Sequence, residues 1–149
     1  MFGISSFCLH HYPLSHALDT LSSHTRLVEI MDDGPHFLES TELLESYSLR
    51  YAFHAPARSV NIACLHEPIR RASVEGIGQC FRIASEVGSN VVIHPGYFAW
   101  EEEREQALRQ YMKSLEDLKY LAGECGVTFY IENMANWNYF FLRTPEELD

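Results

Sequence analysis

No stretch of this chain approaches the ~20 consecutive apolar residues that a membrane-spanning helix requires. Residues 1–18 are mildly apolar but lack a basic leader and are interrupted by His10, His11 and His16, so no signal peptide is expected. Lysine is nearly absent. Two lysines and nine scattered arginines stand against 21 acidic residues, giving a formal net charge of −10 and a pI near 5.2. With no basic patch in view, that acidity repels nucleic acid at long range and disfavours it as a partner. No glycine-rich phosphate loop is present, because Glu75-Gly76-Ile77-Gly78 falls inside a helical pattern. The four cysteines (Cys8, Cys64, Cys80, Cys125) form no C-x-x-C pair and no regular framework. Reduced thiols and a cytoplasmic location are therefore expected. No segment is biased enough to read as disordered.

What is present is a core. The 46% hydrophobic and 13% aromatic content suffices for a packed interior, and 149 residues is the length of a single domain. Apolar runs alternate with helical patterns throughout. Residues 3–9, 26–31, 49–53, 90–93 and 127–131 read as strands. The first helix is marked by Leu14, Ala17, Leu18 and Leu21. The second is expected to open at Pro35, with Phe37, Leu38, Thr41, Leu44 and Tyr47 inward. A third opens at Pro68 and turns Ile69, Ala72, Ile77, Cys80, Phe81, Ala84 and Val87 to one face, with Gly88 ending it. The fourth is expected to hold Glu101, Glu102 and Glu103 in its first turn, where the macrodipole favours negative charge. Its stripe is Leu108, Tyr111, Met112, Leu115, Leu118, Ala122 and Cys125. Thr144-Pro145-Glu146-Glu147 reads as a further helix start. Arg70 and Arg71, at a helix start, are expected to be solvated. Strict strand–helix alternation predicts a parallel sheet with crossover helices.

In such folds the chemistry gathers at the C-terminal ends of the strands. Those ends carry His10-His11, Asp32-Asp33, His54, His94 and Glu132, with Glu29 inside the second strand, and all are expected to face one mouth. The apolar runs LRYAF, NVVI and VTFYI each switch abruptly to an imidazole or a carboxylate. Burying such groups without partners is costly, and a metal ion partners them together. Pro95 directly after His94 holds that histidine extended, as a fixed ligand requires, and Pro56, one residue beyond Ala55, stops the strand after His54. The other reading is that both histidines hydrogen-bond in loops. Tyr97, Phe98 and Trp100 after His94, and Trp137, Tyr139, Phe140 and Phe141 after Glu132, either wall a sugar pocket or pack loops onto the rim. Arg58 either binds a phosphate or carboxylate or is a solvated surface arginine.

Tyr51-Ala52-Phe53-His54-Ala55-Pro56 with Asn61-Ile62-Ala63 downstream, Val91-Val92-Ile93-His94-Pro95-Gly96, and Tyr130-Ile131-Glu132-Asn133 resemble the endonuclease IV / xylose isomerase-like TIM-barrel superfamily. The resemblance covers the chain as the first five β/α units of a (β/α)8 barrel. It implies that His54 and His94 are metal ligands and that Glu132 is a ligand and, in the isomerase and epimerase branch, the catalytic acid/base. It implies that Glu29 faces substrate and that His10 lines the pocket. Tyr97 and Trp137 complete the expected substrate-binding set, and the expected cofactor is a divalent metal (Zn, Mn, Mg or Co). The remaining family ligands, among them an Asp-x-x-His on strand six, would fall beyond Asp149. The chain is thus expected to be the N-terminal portion of a barrel, completed by a missing half or by a second copy in a homodimer.

Three functions follow in order. The first is a metal-dependent sugar or sugar phosphate isomerase/epimerase acting on a small sugar-like substrate. The second is an endonuclease IV-like zinc phosphodiesterase acting on abasic DNA. The two histidines favour it, while the lack of basic residues near the mouth and the sequence Glu132-Asn133-Met134 count against it. The third is a non-catalytic barrel remnant.

Overall fold

A computed structural model of the chain describes residues 2–134, 139–144 and 147. Five strands, β1 (Ile4–Ser5), β2 (Leu27–Met31), β3 (Arg50–His54), β4 (Val91–Ile93) and β5 (Phe129–Ile131), pair in sequence order, all parallel. Helices α1 (Leu14–Ser22), α2 (Glu42–Glu45), α3 (Glu67–Glu86) and α4 (Arg104–Cys125) connect them. This is the open α/β arrangement of a barrel sheet. No described helix is long and apolar enough to cross a membrane.

The register sorts the strand residues into two faces. Val28 and Ile30 pair with Tyr51 and Phe53, and Val91 pairs with Phe129. Val28, Ile30, Phe53, Val91 and Ile93 are fully buried under the helices. The alternate set, Glu29, Met31, Ala52 and Val92, is only half-buried and lines the concave face. His54 belongs to that set. His94 and Glu132 continue it, one residue past the ends of β4 and β5.

Several expected elements are shorter than read. The first strand is two residues rather than 3–9. Ser6 Oγ accepts the Met31 N–H at 3.0 Å, and Ser5 Oγ caps a 3-10 turn over Ser6–Leu9. The helix expected from Pro35 is a 3-10 turn, Gly34–His36, followed by an extended Phe37 and then the four residues of α2. Asp32 Oδ1 takes the Leu38 N–H at 2.8 Å and so withholds it from a helix. Of its expected inner face, Phe37 is exposed.

The stripes of α3 and α4 are also rotated from the expected ones. Ile69 and Ala72 are exposed, as are Leu108 and Met112. Arg70, expected in solvent, is 2% exposed. Its guanidinium binds Glu67 bidentately at 2.9 Å, Asp117 Oδ2 at 2.7 Å and Ser114 Oγ at 2.9 Å. Fully satisfied in this way, a buried arginine costs little to hold and fixes α3 against α4. The expected helix start at 144–147 includes Pro145 and Glu146, which lie outside the described residues.

Candidate metal centre

His54 is extended as the last residue of β3, and Pro95 directly after His94 restricts that histidine to extended geometry, so both project from the strand ends. The two rings meet edge to face with centroids 4.8 Å apart. Glu132, after β5, brings one carboxylate oxygen to both. Its Oε2 lies 3.0 Å from His54 Nε2 and 3.1 Å from His94 Nε2. All three donor atoms fall within 4.8 Å of one another, and no other trio of His, Cys, Asp or Glu converges this way among the described residues.

The proton count is informative. His54 Nδ1 sits 2.8 Å from the Ala55 carbonyl oxygen, so it carries the proton. In the neutral ring, Nε2 then turns a lone pair toward an anionic oxygen. Only an additional proton or a cation between the groups makes that approach attractive. For His94, burial pushes the pKa down, nearby His54 adds to this, and Glu132 opposes it. A histidine held neutral in this way is ready to ligate. Two imidazoles and a carboxylate fit a transition-type divalent ion such as Zn, Mn or Co better than Mg, which prefers oxygen.

The loop carrying His94 is locked from behind. Asn61 Oδ1 accepts the N–H groups of Ala63 at 3.0 Å and Tyr97 at 3.1 Å, and its Nδ2 donates to the Tyr97 carbonyl at 2.9 Å. Gly96, between them, has φ +80°, and a Cβ there would stand 2.9 Å from both Asn61 Oδ1 and Ala63 N. Asn61 is itself anchored to α3 through Ser73 Oγ, and Ile62 is anchored to α4 through Ser114 Oγ.

The chain matches the family described as xylose isomerase-like TIM barrel over residues 22–149. It belongs to that family. Among relatives, an uncharacterized protein of Methanocaldococcus jannaschii, MJ1614, is 35% identical over 138 residues, covering 90% of this chain and 55% of that one. Probable endonuclease 4 of Mycobacterium leprae is 26% identical over 111 residues, covering 74% and 42%. Among solved structures, a D-tagatose 3-epimerase-like protein superposes with a TM-score of 0.89 at 29% identity, covering 99% of this chain and 58% of that one. The chain thus spans about half the length of the curated relatives it matches.

The other expected site residues of this xylose isomerase-like chain divide. Glu29 lies half-buried on the concave face, two positions below Met31, whose register partner is His54. Tyr97 is 41% exposed, and its ring packs edge-on against Phe140, which in turn meets His94. Phe141 is buried against Phe98 and Tyr111, as rim packing requires. His10 is not at a strand end. It follows the 3-10 turn, stacks on Phe7, and spends Nδ1 on the Phe7 carbonyl. Trp137 lies outside the described residues.

Asp32, expected at the mouth, points the other way. It is fully buried behind β2, with Oδ2 unpartnered near the Cys80 thiol. Period-two alternation places Asp32 with Ile30 on the helix side, so this signal was available in the sequence. His36 carried none. It is 1% exposed, donating from Nε2 to the Tyr12 carbonyl and accepting Ser6 Oγ–H at Nδ1, which ties the loops after β1 and β2 together.

Proposed function

We propose that this chain supplies half of a divalent-metal site for isomerising or epimerising a small sugar-like substrate. His54, His94 and Glu132 are the ligands this half contributes. The single observation that carries the reading is the approach of two Nε2 atoms to one carboxylate oxygen, with His54 Nδ1 already committed to a carbonyl. The likeness to a D-tagatose 3-epimerase-like protein supports the choice of chemistry.

A bound divalent ion would supply Lewis acidity toward a substrate carbonyl or hydroxyl oxygen. Glu132 would direct Oε2 to the ligand cluster and leave Oε1 to take or return a proton at the carbon beside that carbonyl. Its side chain is 44% exposed, so substrate can reach it. Tyr97 would wall the pocket beside His94. Glu29, on the same concave face, would meet a substrate hydroxyl. The test is deuterium exchange at the carbon next to the carbonyl of ketoses, using the longest natural form of the protein loaded with Mn, Co or Zn. Exchange lost in Glu132→Gln supports the reading, and exchange indifferent to that change refutes it.

The two histidines and the likeness to probable endonuclease 4 favour a second reading, a zinc phosphodiesterase. That reading predicts several zinc ions per chain and cleavage of abasic DNA. The net charge of −10 opposes it, because phosphate contacts drive DNA affinity.

A further inference from the structure

Five of the nine arginines in this acidic chain face carboxylates: Arg70, Arg82, Arg104, Arg109 and Arg143 each have an acidic partner within 4.0 Å. Arg58 does not. Its guanidinium rests over the Phe7 ring, 5.4 Å from the centroid, and no carboxylate among the described residues lies within ion-pair reach of it. Phe7 also carries the His10 ring, stacked at 4.7 Å and 10°. His11 adds a third nitrogenous side chain, with its ring centroid 3.9 Å from that of His10. Arg58, Phe7 and His10 border a small cavity above the end of β2, floored by Met31, Asp33 and Pro35.

The cavity is built rather than incidental. Asp33 Oδ2 accepts the backbone N–H groups of Ala57 at 3.0 Å and Arg58 at 2.8 Å, which fixes the loop that presents Arg58. Asp33 is thereby committed to the backbone, and those two dipoles offset its charge. His10 Nδ1 is committed to the Phe7 carbonyl, leaving Nε2 unspent. Met31 is the register partner of His54, so the cavity lies about one strand spacing, roughly 5 Å, from the first proposed metal ligand and about two from β4. That separation is on the order of an open-chain pentose or hexose.

We infer that Arg58 and His10 form a subsite for an anionic group at the end of the substrate remote from the metal, so that the substrate is a sugar phosphate or a sugar acid rather than a neutral sugar. This rests on the proposed metal-site reading for the other end of the molecule. Arg58 presents a planar fork suited to two oxygens of a phosphate or carboxylate, and His10 Nε2 reaches a third contact.

The test is a titration of histidine-labelled protein with inorganic phosphate, and separately with glycolate, followed through the His10 ring signal assigned by its loss in His10→Gln. We expect a saturable shift, weakened at least about tenfold in Arg58→Ala and partly restored in Arg58→Lys. Arg58 is exposed, so its removal leaves the fold intact, which thermal melting checks. Tighter phosphate assigns a phosphate ester, and tighter glycolate assigns a sugar acid. A shift that Arg58→Ala leaves unchanged, or no shift with either anion, overturns the subsite. So does a shift that disappears in His94→Ala, because the anion would then sit on the metal. Failure of the metal reading appears separately, in metal content, and leaves this titration unaffected.

Discussion

Asp32 and Glu132 are both carboxylates placed next to strand ends, and one residue of register separates their fates. Glu132 falls on the concave face and meets two imidazoles. Asp32 falls on the helix side at 0% exposure, where burial raises its pKa above the ordinary 3.8, and neighbouring Asp33 adds to the rise. Between those two values the folded chain holds a proton that the unfolded chain has released, so stability declines as pH climbs through that window and levels off above it. We therefore expect the stability of the wild type relative to Asp32→Asn to be greatest in acid and to fall as pH rises from about 4. Urea unfolding of both proteins across a pH series measures this directly. A difference that stays flat contradicts the raised pKa of the buried Asp32.

Between the strands and the site stands the loop of residues 55–66, and its anchors set how rigid the ligands are. Replacing Gly96 by Ala places a Cβ against Asn61 Oδ1 and Ala63 N at a positive φ. We expect a loss of about 2 kcal/mol or more from the backbone and the clash together. Metal affinity should drop about 10- to 100-fold, as when a ligand's outer support is removed. Calorimetric metal titration alongside thermal melting separates the two effects, and unchanged affinity would show that the Asn61 clamp does not position His94. Arg70→Met should cost about 2–3 kcal/mol, because Ser114 and the two carboxylates lose their shared donor. Chemical denaturation reads it, and a neutral result would mean that the network contributes nothing net.

Much of this level was legible in the sequence. The runs LRYAF, NVVI and VTFYI are apolar because parallel strands are covered, and each ends in a ligand type at the mouth. The short second helix was not legible, since Asp32 withholds the Leu38 N–H through a contact six residues away that no periodicity records. Nor was the buried Arg70, because a charged residue inside a helix face reads as solvated until Asp117 and Ser114 arrive from another helix.

Over the whole molecule, the concave face is the unfinished side. Tyr130 is 54% exposed and Glu29, Met31 and Val92 are half-covered, whereas Val28, Ile30, Val91 and Ile93 on the helix side are buried. The chain spans about half the length of its curated relatives, and the three proposed ligands would leave a divalent ion with open positions. Two copies joined through the free edges of β1 and β5 would close the sheet into one barrel. Light scattering would then report a dimer, and a stable monomer would exclude that arrangement for this chain.

Metal content per chain decides whether His54, His94 and Glu132 hold a metal ion together. On protein purified without chelator we expect about one divalent ion per chain, lost in His94→Ala and in Glu132→Ala and retained in Arg58→Ala. A chain that stays metal-free after exposure to Zn, Mn and Co, or one whose loading neither ligand substitution alters, would contradict that joint ligation.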